Sequence, residues 1–145
     1  MANTYTNLHY HVIFSTKHRE PHLKDQRIRM HEYLGGCIRT LGGTALKIGG
    51  VSDHVHALLR LKPTHCVADV LRDIKRASSE WLRESNPSFH WQDGYSAFTV
   101  SASQIDRVCR YIENQEHHHR KIAFADELRT LLNVNGIAFD ERFLL

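Results

Sequence analysis

The chain has 145 residues, of which 41% are hydrophobic and 24% charged, and its formal net charge is +3. This length and composition predict one globular domain, over residues 1–145, with a substantial core. The sequence contains neither an apolar run long enough to span a membrane nor a basic segment followed by an apolar one, so no membrane span or signal peptide is predicted. The small positive charge is compatible with a nucleic-acid partner but does not identify one.

Cysteine and histidine are the informative residue types. The three cysteines, Cys37, Cys66 and Cys109, are scattered and odd in number. They are predicted to be reduced thiols of a cytoplasmic protein, not a disulfide framework or a zinc site. Histidine occurs 12 times, and since imidazole binds metals and titrates near neutral pH, the placement of these residues matters more than their number.

The first half of the chain predicts a strand, a helix and two further strands. Residues 5–15 are rich in aromatic and β-branched side chains, as strands are. Residues 25–41 repeat apolar side chains at three- and four-residue steps, which is typical of an amphipathic helix, and a Gly-Gly pair ends it. Residues 44–51 and 54–61 predict two strands joined by a tight turn.

The second half predicts a helix, a strand and two more helices. Residues 66–84 carry an apolar stripe at helical spacing, and residues 94–101 form a fourth strand. A third helix begins at Ser103, with a capping-box pattern, and a short fourth helix covers residues 124–133. The order β-α-β-β-α-β followed by helices predicts an α+β fold, an antiparallel sheet with helices packed on its faces in a ferredoxin-like or RRM-like arrangement.

Two histidines of the third predicted strand form a candidate metal site. His54 and His56 alternate along the strand, so both imidazoles should point to one face and could bind one divalent cation. Val55 should point to the opposite face and pack on a helix. The pattern alone is not specific, because roughly one His-x-His is expected by chance in so histidine-rich a chain, and two more occur at residues 9–11 and 117–119.

The third predicted helix adds two residues of matching chemistry. Tyr111 and Gln115 are four residues apart and share one helix face. The amide oxygen of Gln115 is a hard ligand suited to Mg²⁺ or Mn²⁺, and the phenol of Tyr111 becomes a nucleophile once a metal or base favours the phenolate. Without the histidine pair, a solvated surface would explain both residues. His118 and His119 follow on roughly the same face, where a role in the site and a partly exposed helix end are both open.

Five basic residues are candidates for contacts with nucleic-acid phosphates. Arg72, Lys75 and Arg76 cluster on the second helix away from its apolar stripe, and Lys17 and Arg19 follow the first strand. Basic side chains beside a sheet form a plausible phosphate track. An ordinary solvated face explains the helix residues equally well.

Taken together, these motifs resemble the single-tyrosine HUH transposases of small bacterial insertion sequences, the IS200-like family. The resemblance lies in residues 9–14, 53–59, 111–115 and 139–144, in the order of the family and across nearly the whole chain. Either His-x-His or Tyr-x-x-x-Gln is a weak motif alone, but their combination is specific. Ser52 is a departure, since the family often has proline before Asp-His, but it removes no catalytic group.

The resemblance implies the roles of the site residues and the partners. His54, His56 and Gln115 would hold Mg²⁺ or Mn²⁺. Tyr111 would attack single-stranded DNA and become joined to it through a 5′-phosphotyrosine. The family binds imperfect hairpins near the element's ends as a homodimer and commonly docks the tyrosine helix of one subunit against the histidine pair of the other. We therefore expect a homodimer with composite sites, paired along the edge strand 94–101.

Three other functions are compatible with parts of this pattern. Rolling-circle initiators and relaxases share the chemistry but often use a third histidine as ligand, and the spacing of Gln115 and the short chain argue against them. A domesticated relative that processes chromosomal palindromes stays open. A non-catalytic RRM-like nucleic-acid binder would stack bases on sheet aromatics, which gives no reason for His54, His56 and Gln115 to converge.

Overall fold

Four antiparallel strands form the centre of the fold in a computed structural model that describes residues 2–144. Met1 and Leu145, the ends of the predicted domain, lie outside the described residues. The strands are β1 (Leu8–Ser15), β2 (Thr44–Gly50), β3 (His54–Leu61) and β4 (Ser96–Val100), and their order in the sheet is β2-β3-β1-β4. This arrangement confirms the predicted α+β fold with an antiparallel sheet.

The helices lie on both faces of this sheet. They are α1 (Arg27–Thr40), α2 (Val67–Arg83), α3 (Ile105–Glu113), α4 (Gln115–His118) and α5 (Phe124–Val134). The main core lies between one sheet face and the pair α1 and α2, whereas a smaller apolar cluster joins the other face to α5. No helix of the described residues is both long and apolar enough to cross a membrane.

Alternation along the two central strands decides what each sheet face presents. Val12 of β1 and Val55 of β3 point into the main core with α1 and α2, as predicted for Val55. Their neighbours Ile13 and His56 pair with each other on the opposite face. The face that carries the histidines is therefore the one covered by the C-terminal helices.

The third predicted helix differs from expectation at both ends. Ser103 lies in a 3-10 turn (Ala102–Gln104), and its hydroxyl bonds with that of Ser101 instead of capping a helix, so α3 begins only at Ile105. The capping box and the start at Ser103 are therefore wrong. The helix also breaks at Asn114, with φ −93° and ψ 14°, so that Gln115 begins α4 and does not continue the helix of Tyr111.

A glycine sets how closely α3 approaches the sheet. A Cβ atom at Gly49 of β2 would collide with the backbone carbonyl oxygen of Ile112. Ile112 itself is fully buried. The missing side chain therefore lets α3 lie directly on β2, which places Tyr111 over the histidine face.

Candidate active site

The residues predicted to hold a metal converge in the structure. His54 and His56 are fully buried on β3, and their ring centroids are 5.2 Å apart. Gln115 is also buried, and its Oε1 lies 3.3 Å from Nε2 of His54. The ring of Tyr111 lies 5.8 Å from that of His56. Strand alternation and the break between α3 and α4 thus bring four separated side chains to one place.

Glu127 of α5, which the sequence analysis did not identify, lies at the centre of this group and is only 3% exposed. Its Oε1 is 3.0 Å from Nε2 of His56 and 3.1 Å from Nε2 of His119. Its Oε2 accepts hydrogen bonds from the Tyr111 hydroxyl and, at 3.0 Å, from Nε2 of Gln115. One carboxylate therefore contacts the histidines, the amide and the tyrosine.

The electrostatics of the site follow from burial and from this carboxylate. Burial alone would raise the pKa of Glu127, but its close contacts with the imidazoles of His119 and His56 hold it far below its usual range, so Glu127 is ionised. Burial, and then the bonded carboxylate, raise the pKa of Tyr111 well above its ordinary value. Burial lowers the pKa of His56 to about 4 despite the opposing effect of Glu127, so this imidazole is neutral at pH 7.

Asp53 fixes the orientation of His54. Oδ1 of Asp53 lies 2.7 Å from Nδ1 of His54. An ionised carboxylate can only accept a hydrogen bond, so Nδ1 carries the proton of the neutral ring and Nε2 presents its lone pair to the site. Burial alone would raise the pKa of Asp53, but the hydrogen bond from His54, together with the charge of Arg19, holds it below its usual value.

Arg19 binds the second carboxylate oxygen of Asp53. Its Nε and Nη2 each lie 3.2 Å from Oδ2 of Asp53, and its guanidinium lies 4.4 Å from the ring centre of Phe124. His18 and Arg19 have φ of 56° and 57°, a left-handed conformation that is rare for residues with large side chains. This turn directs the guanidinium of Arg19 towards Asp53.

The two histidines after α3 both lie at the site. Nδ1 of His119 donates to the carbonyl oxygen of Ile122 at 2.8 Å, so its Nε2 also presents a lone pair, here towards Glu127. Nε2 of His118 is 3.2 Å from Oε2 of Glu127 but outside hydrogen-bonding geometry, and it is buried without a partner within residues 2–144. His118 ends α4 and His119 caps it, and both are partly exposed, so these residues lie at a helix end and at the site together.

These lone pairs provide a test of whether a divalent cation fits. Nε2 of His54 faces the amide oxygen of Gln115, and Nε2 of His119 faces a carboxylate oxygen of Glu127. Two acceptors that face each other repel unless a cation or a proton lies between them. The ligand atoms of His54, His56, His119 and Glu127 all lie within 4.8 Å of one another, so the residues fit one metal ion.

His11 of β1 supports the second histidine. Its Nε2 lies 2.8 Å from Nδ1 of His56. Burial, and then His56, lower the pKa of His11 to about 3, so this ring is also neutral. His11 belongs to one of the matched segments, although the sequence assigned it no role.

The five basic residues predicted to contact DNA do not form one track. α2 covers the sheet face opposite the histidines, and its Arg72 and Arg76 are exposed and form ion pairs of 3.1 to 3.3 Å with neighbouring aspartates. Lys75 donates to two backbone carbonyl oxygens at 2.8 and 2.7 Å. Arg19 is bonded to Asp53 at the site itself, whereas Lys17 is exposed beside it.

Solved transposase structures share this fold. The chain is similar to a crystal structure of a Deinococcus radiodurans R1 protein assigned as a transposase, with a TM-score of 0.65 and 27% identity over 79% of this chain and 95% of that chain. It also shares its fold with a REP-associated tyrosine transposase bound to a REP hairpin, with a TM-score of 0.64, 13% identity, and coverage of 84% of this chain and 74% of that chain.

Sequence comparison gives the family. The model of the family described as "Transposase IS200 like" matches residues 4–115, and this chain belongs to that family. It is 26% identical to the ISDra2 transposase TnpA of Deinococcus radiodurans in an alignment of 117 residues that covers 74% of this chain and 84% of that protein. The chain is thus a transposase, a member of a class of DNA-cleaving enzymes.

Proposed function

We propose that this transposase cleaves and rejoins single-stranded DNA at the ends of an insertion sequence, with Tyr111 as the nucleophile. The observation that carries the proposal is the convergence of Tyr111 with His54, His56 and Gln115 at one buried polar site. A non-catalytic nucleic-acid binder would not need to bury this set of side chains together.

The chemistry requires little more than these groups. The oxygen of Tyr111 forms a bond to the phosphorus, the bond from phosphorus to the 3′-oxygen breaks, and the upstream strand leaves with a 3′-hydroxyl. A divalent cation held by His54, His56 and Gln115 would neutralise the charge that develops on the phosphate oxygens. The 5′-phosphotyrosine conserves the energy of the phosphodiester, so attack by a second 3′-hydroxyl rejoins DNA without a nucleotide cofactor.

The proposed partners are hairpin-bearing single-stranded DNA, Mg²⁺ or Mn²⁺, and a second copy of the chain, in the cytoplasm. Support for the hairpin comes from the REP-associated transposase, whose structure contains a REP hairpin. Support for a homodimer comes from β4, which lies at an edge of the sheet with one side unpaired within the described chain.

Covalent capture tests the proposal directly. The protein is incubated with Mg²⁺ or Mn²⁺ and a pool of 3′-labelled single-stranded oligonucleotides that carry a hairpin and randomised flanks. We expect the label to migrate with the protein on a denaturing gel, because Tyr111 stays attached to the downstream fragment. Tyr111→Phe removes only the hydroxyl and should form no adduct, whereas Tyr95→Phe, at a partly exposed tyrosine, should form as much as the unaltered protein.

Two outcomes would contradict the proposal. An adduct in Tyr111→Phe would show that another residue attacks. Retained hairpin binding with no adduct from the unaltered protein, in either cation, would favour a nucleic-acid binder without catalysis.

A further inference from the structure

We propose that Glu127 and His119 complete the metal site, and that the resulting ligands select Mn²⁺ over Mg²⁺. The inference rests on the site of the proposed function and extends it. It adds a carboxylate and a third imidazole to His54, His56 and Gln115.

The separations of the ligand atoms support a shared cation. Oε1 of Glu127 is 3.0 Å from Nε2 of His56, 3.1 Å from Nε2 of His119 and 3.8 Å from Nε2 of His54. Ligand atoms of one ion lie at such distances from each other when each is about 2.0–2.2 Å from the metal. Gln115 adds its amide oxygen on the side of His54.

Hydrogen bonds to the Nδ1 atoms of two of the imidazoles also support a shared cation. Asp53 accepts a hydrogen bond from Nδ1 of His54, and the carbonyl oxygen of Ile122 accepts one from Nδ1 of His119. In the neutral rings neither Nε2 atom carries a proton, and each faces an oxygen that can only accept a hydrogen bond. A cation among them satisfies all of these lone pairs at once, and such anchored imidazoles are typical of metal ligands.

The two oxygens of Glu127 face different groups. Oε1 faces the imidazoles, whereas Oε2 accepts from the hydroxyl of Tyr111 and the amide of Gln115. The same carboxylate therefore joins the ligand cluster to the nucleophile. A residue whose role was only to fill space would not need to divide its contacts in this way.

The ligand types determine which cation is preferred. Mg²⁺ is bound mainly by oxygen atoms and retains several waters, whereas imidazole nitrogens suit transition metals. Three imidazoles, from His54, His56 and His119, accompany only one carboxylate and one amide. The site should consequently bind Mn²⁺ more tightly than Mg²⁺.

The experiment measures cation binding to the full chain without DNA. Protein stripped with a chelator is titrated with MnCl₂, and free Mn²⁺ is followed by its electron paramagnetic resonance signal, with MgCl₂ as competitor. We expect Glu127→Gln and His119→Gln each to raise the Kd for Mn²⁺ by at least about tenfold. Matched controls, Glu80→Gln and His117→Gln at exposed positions, should leave it unchanged.

Folding is checked by circular dichroism, and His119→Gln keeps the test decisive if Glu127→Gln does not fold, because His119 is less buried than Glu127. Unchanged Mn²⁺ affinity in a folded variant of either residue, or equal affinity of the unaltered protein for Mn²⁺ and Mg²⁺, would overturn the inference. Failure of the proposed function has a different signature, namely tight Mn²⁺ binding without a Tyr111 adduct. A Tyr111 adduct with unchanged Mn²⁺ affinity in both variants would instead retain that function and refute this inference.

Discussion

Gly49 of β2 lies against the backbone carbonyl of Ile112 in α3, with no room for a side chain between them. Alanine at position 49 must push α3 away, because its Cβ would meet backbone and not a flexible side chain. We expect Gly49→Ala to lower the free energy of unfolding by about 1–3 kcal/mol, as overpacking does. It should also reduce covalent capture, since Tyr111 moves with α3. Urea unfolding and the adduct assay measure the two effects.

Gly36→Ala is the matched control, because a Cβ there would meet only the end of the Arg39 side chain, at 3.7 Å. It lies inside α1, where alanine is the better helix former, so stability should rise slightly. If the two variants had the same stability and adduct yield, the position of α3 would not depend on the close approach of Gly49 and Ile112.

Asp53→Asn should weaken cation binding although Asp53 is no ligand. An asparagine amide can donate to Nδ1 of His54, which would shift the proton to Nε2 and remove its lone pair from the site. We expect the Kd for Mn²⁺ to rise by about 10- to 100-fold, the range for residues that orient a ligating histidine. Asp106→Asn, at an exposed carboxylate of α3, is the control. Unchanged affinity in Asp53→Asn would mean that Asp53 does not set the tautomer.

The stability of the metal-free protein should fall between pH 6.5 and about pH 4. Burial, and then Arg27, lower the pKa of His31 to about 4, while in the unfolded chain it is about 6.5. Between these values the unfolded state binds more protons, so stability decreases as the pH falls through the window and this contribution levels off below it. His11 and His56 act in the same direction.

His31→Gln isolates one of these contributions. Between pH 4 and 6.5 it should reduce the slope of the unfolding free energy against pH, measured with urea, by up to the equivalent of one bound proton. His90→Gln, at an exposed histidine, should leave the slope unchanged. The lowered carboxylate pKa values of Asp53 and Glu127 add to the loss of stability below about pH 5, but they do so equally in both variants, so the comparison still isolates His31. An unaltered slope in His31→Gln would indicate that its ring is protonated in the folded protein.

Lys17 should contribute more to DNA binding than Arg76. Lys17 is exposed two residues before Arg19 and forms no ion pair within residues 2–144, whereas Arg76 pairs with Asp73 on the far side of the sheet. We expect Lys17→Ala to reduce the slope of log affinity against log salt by about 0.7, the value for one phosphate of a single strand. Arg76→Ala should leave the slope unaltered. Fluorescence anisotropy with a hairpin oligonucleotide at several salt concentrations gives both slopes, and a larger loss in Arg76→Ala would place the DNA on the α2 face.

The exchange of tyrosine helices between subunits can be tested by mixing His54→Ala and Tyr111→Phe chains. The sequence resemblance predicts composite sites, but in the structure Tyr111 reaches Glu127 and His56 of its own chain. We expect the mixture to stay inactive, because every site built within one chain carries one lesion. Recovery of adduct formation, once mixed dimers are shown to form, would establish exchange and contradict this expectation.

Local periodicity was sufficient to predict most of the fold and part of the site. Two-residue alternation placed His54 and His56 on one face with Val55 opposite, and the predicted helix bounds, including the start of α3, lie within two residues of the observed ones. Helical spacing brought Tyr111 and Gln115 together only approximately, because the helix breaks between them.

The remainder of the site depends on contacts that periodicity does not record. Glu127 meets His56 across 71 positions of the chain. One local sign was present, since Glu127 lies in the apolar stripe of α5, where an unpaired charge would be costly and indicates a buried partner. The direction of the partner depends on tertiary structure. The stripe is formed by Phe124, Leu128 and Leu132.

The proposed metal ligands come from two parts of the chain, so metal binding should be coupled to local unfolding. His54 and His56 belong to β3, whose opposite face packs in the main core, whereas Gln115, His119 and Glu127 belong to the C-terminal helices, of which α5 is attached by a smaller apolar cluster. A bound cation would therefore cross-link the sheet, which has the larger core, to the C-terminal helices, which have the smaller one. Below the Kd for the proposed cation, we expect the C-terminal helices to open more readily than the sheet, so the metal concentration would set the fraction of molecules with an assembled site.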